Sequence, residues 1–289
     1  MTAHVPTAAE DLARRVAALF APLPEVEAVA LGGSRGGAGL GAVGGSDIDV
    51  EVYTRGEVAL DVRRGIVTAA GGASRAELGM TFWGPSDEWI DRATGAHVDV
   101  VYFDASWMEG RIAAVLDRHE ASLGYTTCFW HTIRGAVVLE DPRGWLAGLK
   151  SRCDVPYPDA LRTAIVAFNH PVLRRVLPSY ANQLAKAAAR DDLVSVNHRL
   201  AGLVASYFDV LFAVNRVTHP GEKRLVEAAT RTCGRLPVGM AVDIDDLLRT
   251  AAVDLPGLDV RVDRLLDRLD DLLRAEGFSE ADLPSLRLG

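Results

Sequence analysis

Val26-Glu27-Ala28-Val29-Ala30-Leu31 runs straight into Gly32-Gly33-Ser34-Arg35-Gly36-Gly37, and Asp47-Ile48-Asp49-Val50-Glu51-Val52-Tyr53 follows Ser34 after 12 intervening residues. The first run is short, apolar and β-prone, so it reads as a strand that ends in a glycine-rich turn. The second alternates, with Ile48, Val50 and Val52 on one face and Asp47, Asp49, Glu51 and Tyr53 on the other. It is a strand with an acidic face. Residues two apart on a strand point the same way, so Asp47 and Asp49 can reach one site.

Upstream, Thr7-Ala8-Ala9-Glu10 has capping-box spacing, and Leu12, Val16, Leu19 and Phe20 recur at helical intervals, which predicts a helix over 8–20 that stops near Pro22. Downstream, 57–70 reads as a helix. Residues 74–83 and 96–103 read as two strands separated by a polar turn region with Pro85 and Gly95. Past about residue 104 apolar residues recur every three or four positions, best seen in Leu200, Leu203, Val204, Tyr207, Leu211 and Val214. Further helices are expected at 159–177, 180–190, 222–232 and 258–275, with one short strand at 135–139. The class is α+β: a mixed sheet with flanking helices, then an all-α bundle. Pro142 and Asp154-Val155-Pro156-Tyr157-Pro158 mark the boundary region, giving a catalytic domain over 1–150 and a helical, nucleotide-covering domain over 151–289.

The order strand, Gly33-Ser34, then Asp47-Ile48-Asp49 on the next strand resembles the nucleotidyltransferase superfamily that includes DNA polymerase β and the kanamycin and lincosamide nucleotidyltransferases. In that family a hydrophobic-Gly-Gly/Ser element precedes an Asp-hydrophobic-Asp/Glu pair, and a later strand supplies a third carboxylate. His97-Val98-Asp99-Val100-Val101 offers Asp99 for that place. The resemblance covers roughly residues 26–103. A helical second domain is common among the antibiotic-modifying members.

The resemblance implies an enzyme that moves a nucleoside monophosphate, AMP by default, from an NTP to an acceptor hydroxyl with release of pyrophosphate. Asp47, Asp49 and Asp99 are the expected catalytic residues and ligands of two Mg²⁺ ions, with Asp99 open between metal ligand and general base. Physical chemistry points the same way. Two carboxylates on one face repel unless a divalent cation with a preference for hard oxygen ligands sits between them. Glycines let backbone N–H groups approach phosphate oxygens, so Gly33 and Ser34 are expected to bind the triphosphate, with Arg35 beside them. Lys223, in Pro220-Gly221-Glu222-Lys223-Arg224, is expected to reach the β- or γ-phosphate as lysines of that domain do in relatives.

Composition narrows the partners. The 289 residues carry 31 basic and 39 acidic side chains, a net charge of −8, which disfavours nucleic acid and favours a small, cationic acceptor such as an aminoglycoside-like antibiotic. No run of 18 apolar residues suggests a membrane span, and no leader pattern opens the chain, so a soluble cytoplasmic protein is expected. The oligomeric state is open between monomer and homodimer. Cys128, Cys153 and Cys233 are few and scattered, which argues for inert thiols. The rivals are a toxin-like transferase acting on tRNA or protein, and a non-catalytic nucleotide-binding module.

Other patterns have plainer explanations. Gly39-Leu40-Gly41-Ala42-Val43-Gly44 matches a dinucleotide fingerprint, but an acidic strand follows where a helix is required. Glu51 is expected to meet water, Asp87, Glu88 and Asp91 to form a surface turn, and His97 to be structural or exposed. Lys186 is expected to be a solvated charge, and the aromatics around Trp130 and Tyr207 to pack in the core.

Overall fold

A computed structural model describes residues 8–32 and 47–279. The first part of the chain builds α1 (Ala8–Phe20), β1 (Val26–Leu31), β2 (Ile48–Thr54), α2 (Leu60–Ala69), β3 (Ala73–Met80), β4 (Ser86–Asp91), β5 (His97–Asp104) and α3 (Ala105–Leu116). After α4 (Cys128–Gly135) come β6 (Val137–Glu140) and α5 (Trp145–Cys153). The six strands form one sheet in the order β3-β4-β5-β2-β1-β6. Only β2 and β5 pair in parallel; the other pairs are antiparallel. The expected α+β class is therefore the one observed.

Alternation decides which side of the sheet is filled. Ile48, Val50, Val52, Val98 and Val100 join Leu12, Val16 and Phe20 of α1 in one apolar cluster, so the other face of β2 and β5 presents Asp49, Asp99 and their neighbours. The segment expected as a polar turn is a strand, β4, and this corrects the reading of Asp87, Glu88 and Asp91. Asp87 and Asp91 are both 1% exposed, on the core side, while Glu88 lies on the opposite face. Asp87 accepts from Arg63 Nη1 at 3.0 Å, Gly79 N at 2.7 Å and Tyr102 Oη at 2.7 Å. Asp91 accepts from the amide and hydroxyl of Thr94.

The chain divides into two compact units, one of residues up to Ala113 plus Thr132–Val155, the other of Ala114–His131 plus the residues from Pro156 onward. The second is helical: α6 (Asp159–Arg174), α7 (Tyr180–Ala188), α8 (Leu193–Val214), α9 (Leu225–Thr232), α10 (Met240–Thr250) and α11 (Leu258–Ala275). Its core gathers around α8, where Leu200, Leu203, Tyr207 and Leu211 are buried as their spacing predicts. No helix among the described residues is long and apolar enough to cross a membrane. None of the three cysteines forms a disulfide among the described residues, and burial lifts the Cys153 and Cys233 thiols to about 11.

Two charged side chains tie distant segments together. Lys150, one of three lysines in the sequence, donates to the carbonyls of Ile133, Arg134 and Ala136 at 2.7–3.0 Å and so caps the negative end of α4. In the helical unit Asp209 of α8 is 1% exposed and accepts from Thr126 N at 3.0 Å, Thr126 Oγ1 at 2.6 Å and Asn169 Nδ2 at 3.1 Å. Burial raises its pKa and the Thr126 bonds pull it back, leaving it at about 7 against an ordinary 3.8. Between those two values the folded state binds the proton that the unfolded state has lost. Stability is therefore full below about pH 4 on this account and falls as pH rises to about 7, by a few kcal/mol at most. Urea midpoints at about pH 5 and about pH 8 should show that loss in the wild type and a smaller one in Asp209→Asn, where the buried Glu51, also raised to about 7, still contributes. Equal slopes in the two proteins would remove Asp209 as the cause.

Candidate active site

The parallel register sets Asp49 of β2 directly beside Asp99 of β5, and the antiparallel register on the other side sets Glu88 of β4 beside the same Asp99. Glu77 of β3 follows next to Glu88. One row across four strands therefore carries four acidic residues. The electrostatic consequence is visible at its centre: burial raises the Asp99 pKa, the charges of Glu88 and then Asp49 raise it further, and Asp47 adds a smaller push. His97, two residues before Asp99, works against this rise. Its ring stands between two carboxylates, with Nδ1 3.3 Å from Asp47 Oδ1 and Nε2 3.4 Å from Glu88 Oε2.

At the same end of the sheet β1 ends at Leu31 and Gly32 follows. The described chain breaks off after Gly32 and resumes at Asp47, and Gly32 N donates to Asp49 O at 2.9 Å. Gly32 is also where the sequence leaves no room. A Cβ there would overlap the Glu51 carboxylate. Glu51, expected in water, is 9% exposed instead, since α5 covers this stretch of β2. Its Oε2 accepts from Tyr53 Oη at 2.6 Å. Burial lifts its pKa to about 7, with the Tyr53 bond opposing and Asp49 adding to the rise.

Because Glu51 is enclosed and anchored, it cannot swing aside for a methyl group. Gly32→Ala is expected to cost about 1–3 kcal/mol. Combining it with Glu51→Ala should recover most of that loss, because the two groups occupy one space. Chemical denaturation of the two single variants and the double variant measures the coupling, and strict additivity would show that Glu51 is not what excludes the methyl group.

The structure thus brings Asp47, Asp49 and Asp99 to one end of one sheet face. Gly33, Ser34 and Arg35, and the glycine pattern at 39–44, lie outside the described residues. Lys223 belongs to the helical unit, where it is exposed just ahead of α9. Lys186 is exposed on α7, as expected. Sequence reasoning placed Glu88 in a surface turn and did not foresee His97 between two acids. The signal was available in part, because Ser86-Asp87-Glu88-Trp89-Ile90-Asp91 has a strand-like apolar pair, but acids on both faces hid it.

Whether this end of the sheet suits a metal depends on when the metal would arrive. Asp47, Asp49 and Asp99 offer hard carboxylate oxygens, and the mutual repulsion that lifts Asp99 is what a divalent cation relieves. Among the described residues, however, no three acidic, imidazole or thiol groups are gathered as a ready cage. Magnesium is usually held by one or two carboxylates together with substrate phosphates and water. The donor set fits a cation that enters with a triphosphate and does not fit one stored in its absence.

No protein-family model matches the chain, and no curated protein matches it. Among solved structures it is similar to a nucleotidyltransferase-like protein from Exiguobacterium sibiricum 255-15, at 13% identity and a TM-score of 0.41, over 92% of this chain and 74% of that one. It is also similar to an aminoglycoside 6-adenyltransferase from Bacillus subtilis, at 10% identity and a TM-score of 0.27, over 96% and 95% of the two chains.

Proposed function

We propose that the chain is a metal-dependent nucleotidyltransferase that transfers AMP from ATP to a hydroxyl of a small, cationic acceptor. The observation that carries this reading is the side-by-side register of Asp49 and Asp99 at the end of the sheet where Gly32 leads into the Gly-Ser element. Asp47, Asp49 and Asp99 would hold two Mg²⁺ ions, which neutralise phosphate charge and stabilise the entering and leaving oxygens. The chain's own work is placement. Gly33 and Ser34 bind the triphosphate through backbone N–H groups and a hydroxyl, and Arg35 and Lys223 add charge-assisted contacts to it.

An acceptor oxygen forms a bond to the α-phosphorus, the bond to the β-phosphate oxygen breaks, and pyrophosphate leaves. The hydroxyl proton must go to a base. Asp99 has two open roles, ligand or proton acceptor, and its place between Glu88 and Asp49 serves either one. The acidic row beyond Asp99 supports a cationic acceptor, because Glu88 extends negative charge away from the phosphate end. Incubation with labelled ATP, Mg²⁺ and acceptor panels tests the reading. Labelled product with an amine-bearing small molecule is expected, whereas transfer only to tRNA or to protein would overturn the acceptor class.

A second reading, a non-catalytic nucleotide-binding module, draws on the absence of a three-donor cage among the described residues. It expects metal-dependent ATP binding with no pyrophosphate released under any acceptor, and binding that Asp49→Asn leaves unchanged.

A further inference from the structure

β3 is the outermost strand of the sheet, and among the described residues no strand pairs with its far side. Ser74, Arg75, Ala76 and Glu77 are four consecutive exposed residues, so both faces of this stretch are open as well as its rim. A strand rim with unpaired N–H and C=O groups is a template for another strand. Just past β3 the hairpin tip holds Phe82 and Trp83, which are 81% and 96% exposed and contact each other edge-on at 6.0 Å. Two large aromatics side by side in water mark an interaction surface more often than a solvent face.

The charge pattern selects the occupant. Arg75 and Glu77 flank Ala76 on one face, with Arg75 Nη2 3.0 Å from Glu77 Oε1. In an antiparallel pairing of two such strands about a two-fold axis at Ala76, each Arg75 faces the partner's Glu77. The pattern is complementary to itself, which is the requirement for an interface that uses the same patch on both subunits. We propose that the chain forms a homodimer by antiparallel pairing of β3 with β3 of a second copy, centred on Ala76.

Register irregularities between Ala73 and Arg75 and between Leu78 and Met80 bracket the regular stretch, so the strand pairing itself is short. The aromatic tip supplies the remaining contact. In the same register it extends past the end of the partner's β3 toward the partner's Gly71 and Gly72. Two strands, β4 and β5, separate β3 from β2 and Asp49, so the interface does not depend on the proposed chemistry.

Light scattering or sedimentation of the full chain over a concentration series tests this directly. A species of twice 31.0 kDa that dissociates on dilution is expected. Arg75→Glu sets like charges opposite one another at two symmetry-related places and should weaken the dimer by about tenfold or more. Arg75→Glu with Glu77→Arg restores the pairing in reversed sense, and Trp83→Ser weakens it. At the axis, opposed Cα atoms of antiparallel strands lie about 4.5–5.5 Å apart, within disulfide reach. Ala76→Cys should therefore cross-link two chains under mild oxidation where the wild type, with its three native cysteines, does not. A 31.0 kDa species at every concentration with no such cross-link overturns the proposal. So does a dimer that Arg75→Glu and Trp83→Ser leave unchanged.

Discussion

Asp49→Asn is expected to lower AMP transfer by about 10³-fold or more, roughly 4 kcal/mol of barrier, while leaving the protein as stable as before or more so. The two halves of this expectation have one cause. Asp49 stands half-buried beside Asp99, in a row that continues through Glu88, and like charges there raise the Asp99 pKa. In the folded protein without substrate, that repulsion is a cost. Taking away one charge relieves it, so thermal unfolding should shift upward or not at all. In the reaction the same charge is what holds cations against the triphosphate, so its loss removes the force that gathers the reactants. Asparagine keeps the shape and leaves a neutral, weaker oxygen ligand. Steady-state transfer and a thermal melt on the same preparation separate the two effects. Activity within a few-fold of wild type would dismiss Asp49 as a ligand, and a large drop in the melting temperature would make it a structural residue instead.

Asp87→Ala should do the opposite, destabilising the sheet unit by about 3–5 kcal/mol. Asp87 is a buried carboxylate with four interlocking contributions: the Arg63 guanidinium, the Gly79 amide, the Tyr102 hydroxyl, and Arg63 in turn over the Tyr102 ring at 5.1 Å. Removing the acid leaves Arg63 charged in a site where its side chain is only 9% exposed. It also orphans the Tyr102 hydroxyl and the Gly79 amide, each of which costs about 1–3 kcal/mol when buried without a partner. Replacing both charges, as Arg63→Met with Asp87→Leu, should cost less, because no uncompensated ion remains and only the Tyr102 hydroxyl and the Gly79 amide stay without their acceptor. Urea unfolding of the single and double variants distinguishes these outcomes. If the double variant is as unstable as Asp87→Ala, the loss comes from the two orphaned donors and packing and not from the stranded charge.

These two acids, on strands separated by β5, show what the sequence makes legible and what it does not. Asp49 sits in a clean alternation that places it opposite a row of valines, and the alternation survives in the sheet as written. Asp99 follows the same rule in His97-Val98-Asp99-Val100. The strand that lies beyond Asp99 was hidden because its core-facing positions are Asp87, Trp89 and Asp91. Two of those three look like solvent positions until their partners are known. The partners of Asp87 come from Arg63, Gly79 and Tyr102, on other elements, and no local pattern announces them.

Glu51 and Asp209 taught the same lesson by a different route. Alternation correctly put Glu51 on the face of Asp49, but period alone does not say where that face stops being open, and here Tyr53 with Trp145 and Lys150 of α5 enclose it. Asp209 lies in the middle of a helix whose buried positions are nearly all apolar, and the groups that satisfy it, Thr126 and Asn169, lie 83 and 40 residues away. Most helices of the second unit were readable from spacing, including the α8 stripe and the full extent of α11, but α10 (Met240–Thr250) was not among those expected. The interleaving of Ala114–His131 with the helical unit follows from such long-range polar contacts and leaves no trace in local composition.

The most direct test is a calorimetric titration of Mn²⁺ into the full chain, alone and with a non-hydrolysable ATP analogue, for wild type, Asp49→Asn and Asp99→Asn. The account predicts weak uptake by the protein alone, strong uptake once the analogue is present, and loss of that gain in both variants. Equal Mn²⁺ uptake with and without the analogue, or a gain that survives both substitutions, would contradict it.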